Sequence, residues 1–332
     1  MEQASTTQAI PPTLQEIEAA QEKLKDLIRY TPTYEWKGPG KDEMIGEETI
    51  VHVKLELLQR AGSFKPRGAL INMMALTPEQ LTKGVTAVSA GNHAIAVGYA
   101  AQVIGTSSKV VMPRSANRFR IQRCQALGAE VVLVDNVTEA FAEAERIQRE
   151  EGRTFIHPFE GKLTATGTAT LGYEFAHQVP DMDAVIIPIG GGGLAAGMAT
   201  ALKLLQPNCR VYGVEPTGAD TMYRSLQSGH TESIDVVRTI ADSLGAPFSM
   251  PYSMAICQKY LKKVVLVEDH QLRSAMRHMF VEMKLAAEPA GAASLAALLG
   301  PLKEELKGKK VGLIACGSNI DVETYFRYLG GQ

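Results

Sequence analysis

From about residue 50 onward, short β-branched runs alternate with longer Ala-rich segments, and no other feature constrains the fold as strongly. The runs are Val51–Leu55, Val85–Val88, Lys109–Met112, Glu130–Val134, Ala184–Ile189, Arg210–Val214, Val264–Val267 and Val311–Ala315. Helix-length segments such as Ala94–Ile104, Asn117–Leu127 and Leu194–Leu205 separate most of them. Strands alternating with helices predict βαβ units, hence an α/β fold of open, largely parallel sheets. Upstream, Ile17, Leu24, Leu27 and Ile28 recur at helical spacing from Leu14, and residues 1–11 read as a flexible polar arm.

At 332 residues the length favours about two domains. With 45% hydrophobic and 21% charged residues the chain buries a sizeable core, which excludes disorder throughout. The formal net charge is −2, with no long run of one sign, so no electrostatic footprint for nucleic acid or an anionic membrane is present. A small-molecule partner is expected. Cys124, Cys209, Cys257 and Cys316 lie far apart without a CxxC pair, which argues against a disulfide framework and a structural zinc site. The N-terminus lacks the basic start and apolar stretch of a signal peptide, and a cytoplasmic location is the default expectation. The charge-free stretch 184–202 holds Pro188 and Gly190–Gly193, which would break a lipid-exposed helix, so it reads as strand, turn and buried helix.

Open parallel sheets bind ligands at the carboxyl ends of their strands. The loops in question are Ser89–His93, Gly190–Leu194, Glu215–Ala219 and Cys316–Asn319. Gly190, Gly191, Gly192 and Gly193 follow an apolar strand and open a helix. Backbone N–H groups there approach an anion closely, and the helix N-terminus adds about half a positive charge. A phosphate cradle is the reading. The run also satisfies GxGxxA through Gly191, Gly193 and Ala196, with Glu215 about 20 residues on, so a dinucleotide site with an acid for the ribose stays open as an alternative. Lys65 sits between Phe64 and Pro66, beside glycines and with little other charge nearby. Burial there would lower its pKa and make it an amine nucleophile.

Ser63-Phe64-Lys65-Pro66-Arg67-Gly68-Ala69 resembles the lysine motif of the serine/threonine dehydratase family, the fold-type II pyridoxal phosphate enzymes that include serine racemase. The other loops are similar to that family's in the same order, over about residues 12–325. The resemblance implies that Lys65 binds the cofactor as a Schiff base and, once freed, takes the Cα proton. It implies that Ser89, Ala90, Gly91, Asn92 and His93 hold the substrate carboxylate, with Asn92 also at the cofactor's 3′ oxygen. It further implies that Gly190–Gly193 and Leu194 bind the phosphate, that Phe64 and Glu288 belong to the cofactor pocket, and that Cys316 faces the pyridine nitrogen. The implied fold resembles tryptophan synthase β, with the cofactor in the cleft between two domains. Residues 75–158 would form a small domain inserted between residues 1–74 and 159–332. The implied activity is dehydration and deamination of an L-β-hydroxy amino acid, of the threonine or serine type or a bulkier one such as phenylserine. A homodimer is implied too.

Several positions depart from the family's pattern. Serine racemases resembling this chain carry Ser where Ala90 stands, and a methyl group transfers no proton, so little racemisation is expected. A frequent Gln is replaced by Ile95, and another by Thr168; if both line the substrate side, they make it less polar. Thr221 replaces a second acid of the family's divalent-metal site, leaving Glu215 and the Ala219 carbonyl for a cation. Lys54 and Arg67 read as structural or surface charges, and His157-Pro158 as a chain crossing. A racemase, a β-replacement enzyme, a nicotinamide-dependent oxidoreductase and a non-catalytic amino acid sensor are the competing readings.

Overall fold

A computed structural model describes residues 9–331. Its strands are β1 (Thr33–Trp36), β2 (Ile50–Lys54), β3 (Val85–Val88), β4 (Ser108–Pro113), β5 (Glu130–Val134), β6 (Thr154–Phe155), β7 (Ala184–Pro188), β8 (Arg210–Pro216), β9 (Leu261–Val267) and β10 (Lys310–Ile314). All eight strands expected from the alternation are present. The two others, β1 and β6, are short edge strands that lack a β-branched run.

Two sheets form. The larger has the order β1-β2-β10-β7-β8-β9 and is parallel except for β1; the smaller, β5-β4-β3-β6, is parallel throughout. Every residue of β7 is buried, as a parallel strand covered by helices on both faces requires. The order in the larger sheet reverses at β7, which has β8 and β9 on one side and β10 and β2 on the other. The loops leaving β7 and β10 therefore open side by side into one crevice. No helix among the described residues is long and apolar enough to cross a membrane, and stretch 184–202 is β7, a glycine turn and the helix Gly193–Leu205.

The N-terminal helix, Leu14–Leu24, starts with a capping box between Thr13 and Glu16. It stops before Leu27 and Ile28, which follow in a turn whose amides donate to the Leu24 carbonyl. Ile28 still reaches the core of the smaller sheet, so its apolar spacing reported burial rather than helix length. Of the arm expected over residues 1–11, residues 1–8 lie outside the described residues. The Ile10 carbonyl accepts a 3.0 Å hydrogen bond from the Tyr252 hydroxyl.

Lys54 and Arg67 are not surface charges: both are fully buried. The Arg67 guanidinium spans Glu56 (2.8 and 2.9 Å) and Glu174 (2.8 and 2.9 Å), and the Lys54 amine donates to Glu174, Gln178 and the Thr31 carbonyl. This network pins the helix Pro66–Met74, which begins immediately after Lys65, to the helix Lys162–Gln178.

Candidate active site

Between the sheets lies a cavity of about 210 Å³. Its lining includes Phe64, Lys65, Ser89, Ala90, Gly91, Asn92, His93, Gly190–Leu194 and Cys316, so residues from four distant loops meet in one place.

Backbone stitching brings them together. Ser63 bridges to Gly317, the Phe64 amide donates to the Cys316 carbonyl at 3.2 Å, and the Ser318 amide donates to the Gly62 carbonyl at 3.0 Å. The lysine loop is thus laid against the loop leaving β10. Ala61 turns there with φ of 60°, a conformation L-residues seldom adopt and one that stores strain at functional sites. Lys65 then precedes Pro66 at the first turn of its helix, where a missing N–H costs nothing.

The Lys65 amine donates one hydrogen bond, to the Pro158 carbonyl at 2.7 Å, and lies 5.2 Å from the centre of the Phe64 ring. Among the described residues no carboxylate pairs with it. Burial therefore pushes it down to about 8. Burial and the Lys65 charge together push His93 down to about 3 and His157 down to about 4, so both rings are neutral around pH 7. His93 Nε2 meets the Ile156 carbonyl at 2.8 Å, and His157 Nδ1 accepts from the amides of Phe159 and Glu160. His157-Pro158 does mark the crossing from β6 into the larger sheet's helices, and its carbonyl orients Lys65.

Opposite, the glycine loop is closely confined. A Cβ on Gly191 would strike the Phe159 ring, one on Gly193 the Phe159 carbonyl, and Gly192 has φ of +94° with Met222 Cε 2.6 Å from a Cβ position. Any side chain there would displace Phe159 or close the cradle at the N-terminus of the helix Gly193–Leu205. Thr168 donates to the Gly193 carbonyl at 2.7 Å, bracing the loop from behind.

Asn92 is held by three neighbours. Its amide donates to Glu288 (2.5 Å) and Ser243 (3.2 Å), and its carbonyl accepts from Asn319 (2.7 Å). Glu288 does not line the cavity; it stands behind Asn92, with Arg120 3.4 Å from its other oxygen. Burial pushes the Glu288 carboxyl up, with Arg120 acting against it. The Cys316 thiol donates to the Ala290 carbonyl at 3.3 Å, and burial pushes it up so that it stays protonated.

Three expectations change. Ile95 is fully buried in the core of the smaller sheet, and Thr168 faces the glycine loop, so neither lines the main cavity. Aromatic lining of the cavity comes instead from Phe141, Phe159 and Phe248, beside Phe64. Sequence reasoning missed these: Phe141 reads as one apolar position of an amphipathic helix, and Phe248 sits in a loop without periodicity. Glu215 is buried beneath the helix Thr221–Ser228, its oxygens accepting from the amides of Met222 (3.0 Å) and Tyr223 (2.7 Å). Burial pushes it up to about 8. It is away from the cavity, so it is not placed to bind a ribose beside the glycine loop. No three His, Cys, Asp or Glu side chains among the described residues group to hold a metal.

An amine poised near neutrality, facing an anion cradle across a crevice between parallel sheets, defines an enzyme that carries an aldehyde-bearing phosphate cofactor. The donor set suits pyridoxal 5′-phosphate: an amine for the aldehyde, a side-chain-free amide cradle for the phosphate, and a neutral thiol on the cavity wall. Residues 24–317 match the family described as pyridoxal-phosphate dependent enzyme, and the chain belongs to it. It is 49% identical over 323 residues to a phenylserine dehydratase of Ralstonia pickettii, covering 96% of this chain and 97% of that one. An L-threonine ammonia-lyase of Thermotoga maritima is 36% identical over 96% of this chain and 78% of its own. Among solved structures, maize serine racemase superposes with a TM-score of 0.90 at 33% identity, over 97% of this chain and 98% of that one.

Proposed function

We propose that this protein is a pyridoxal-phosphate dependent lyase that removes water and ammonia from an L-β-hydroxy amino acid and releases a 2-oxo acid. The observation that carries the reading is Lys65: a buried amine with a single carbonyl partner, aimed into the cavity that the glycine loop closes. When bound, the cofactor supplies the electron sink that makes Cα–H cleavage and loss of the β-hydroxyl accessible.

The protein's part is binding and proton transfer. The Lys65 amine would hold the cofactor through its aldehyde and, as a free amine, would accept the substrate's Cα proton. A pKa of about 8 leaves a neutral fraction for that near pH 7. The amides of Gly190–Leu194 would hold the phosphate. Phe64 flanks the lysine. Ser89–His93 would take the substrate carboxylate at the N-terminus of the helix Asn92–Ile104, in a loop whose shape is held by the Gly91 amide donating to the Ser89 hydroxyl at 3.1 Å. Cys316, a weak neutral donor on the cavity wall, would stand at the ring nitrogen in place of a carboxylate, giving less charge delocalisation and favouring β-elimination over transamination. Ala90 offers no proton on its side of the site, which disfavours racemisation.

Residues 75–158 act in this reading as a small inserted domain against 1–74 and 159–332, a division supported by the separate sheet drawn from residues 85–155. The family expectation of a homodimer has support in exposed Val281, Phe280, Val322 and Phe326 on two helices joined by a Phe280–Tyr325 contact.

The test is the visible spectrum of the cofactor-loaded protein with L-threonine, L-serine and L-phenylserine in turn. A shifted band with accumulating 2-oxo acid and ammonia is expected. A shifted band without ammonia would make the protein a sensor, and accumulation of the D-enantiomer would make it a racemase.

A further inference from the structure

We infer, resting on the lyase reading above, that Phe141 and Phe248 form the subsite for the substituent on the substrate's Cβ, and that this subsite selects an uncharged aryl ring. The two rings come from opposite sides of the cleft. Phe141 projects from the helix Val137–Glu151, which packs on the smaller sheet. Phe248 belongs to the larger sheet's side, its backbone clamped by a bridge to Ser233 and by hydrogen bonds from Ile234 to Pro247 and from Ser249 to Glu232.

Their centroids lie 5.9 Å apart with planes at 53°, and Phe159 continues the wall 6.1 Å from Phe248 at 54°. Tilted contacts at this spacing are favourable for aromatic rings, and a third ring entering the cavity can join the cluster edge-on or offset. Phe141 and Phe248 are both half-buried and both line the cavity, so apolar surface remains for a ligand to cover. Phe159, by contrast, is buried against the glycine loop and serves as the fixed floor.

Charge sets the second half of the selection. Besides Lys65, the cationic side chain on the cavity wall is Arg120, and its charge is already paired with two carboxylates: Asp242 at 2.6 and 3.0 Å and Glu288 at 3.4 Å, with the Asn319 carbonyl accepting a fourth contact at 2.9 Å. His93 is neutral and faces the Ile156 carbonyl. A second carboxylate on the substrate would find no free cation and would lie in a cavity that Asp242 also lines. An aryl ring needs none.

The experiment compares kcat and KM for L-threo-phenylserine, L-threonine and L-threo-3-hydroxyaspartate in the wild type, Phe141→Leu and Phe248→Leu, with the cofactor's visible band as a check on the loaded site. The wild type is expected to prefer phenylserine. Each variant should lose about tenfold or more in kcat/KM for phenylserine, mainly through KM, and change less than about threefold for threonine. The visible band should be unaltered. A parallel fall for phenylserine and threonine would reduce the rings to a contact between the two sides of the cleft. A wild type that prefers threonine or hydroxyaspartate would overturn the subsite while leaving the lyase reading intact. Release of 2-oxo acid from none of the three would overturn the lyase reading, and the subsite with it.

Discussion

Lys54 and Lys65 stand eleven positions apart in the sequence, and the protein treats their amines in opposite ways. Lys54 spends all three donors at normal distances, on the Thr31 carbonyl (2.6 Å), Glu174 (2.7 Å) and Gln178 (2.9 Å). Burial pulls its pKa down, while Glu174 and Glu56 pull it back. Lys65 has one carbonyl partner and no acid. The first lysine is satisfied as a cation and serves the scaffold. The second is poorly solvated as a cation and is therefore available as a free amine. Partner count, rather than burial alone, separates a structural lysine from a reactive one.

The largest effect should come from Lys65→Met, which keeps the bulk and removes the amine. Turnover of any β-hydroxy amino acid should fall by roughly 10³-fold or more, while the folded protein remains at least as stable to heat. A variant that retained substantial steady-state activity would end the special status of this lysine. On the scaffold side, Glu174→Ala leaves Lys54 without a carboxylate and Arg67 with Glu56 alone, and should cost about 3–5 kcal/mol in chemical denaturation. If denaturation were unchanged, the buried network would not be what holds the two helices together.

A smaller effect distinguishes the amines by pH. Lys65 binds its proton less tightly when folded, at about 8, than at its ordinary value of 10.5. Between those values the unfolded chain holds more protons, so stability of the cofactor-free protein should rise as pH increases from about 8 and level off near 10.5. Lys65→Met should lack this part of the rise. The same titration should make capture of added pyridoxal phosphate faster as pH climbs through about 8, followed by growth of the visible band. A comparable effect is expected on the acid side. His157 is pushed down to about 4 from its ordinary 6.5, so its contribution to stability is complete above 6.5 and is lost as pH falls toward 4. His157→Asn should flatten that part of the acid limb, with a change of melting temperature confined to that window.

Much of this was readable from the chain. Eight strands, the glycine turn at 190–193 and the lowered pKa of Lys65 were all expressed in local chemistry: β-branched runs bury on two faces, adjacent glycines permit close backbone approach, and an isolated lysine among apolar neighbours has few ways to keep its charge. Lys54 was less clear, because its partners Glu174 and Gln178 lie more than a hundred positions away. Glu288 was placed in the pocket, whereas it stands behind Asn92. Ile95 and Thr168 would have made the substrate side less polar only if both lined it; one lies in a core, as an isoleucine on a helix usually does, and the other braces the glycine loop.

The sequence by itself determined what each loop is able to do, because backbone conformation and amine reactivity depend on nearest neighbours. Only the tertiary structure decided which loops share a crevice, which lysine is left without an acid, and which rings, Phe141 and Phe248, face each other across it. Solvation and contact are settled by groups that meet in space, and the spacing of residues along a chain carries no record of those meetings.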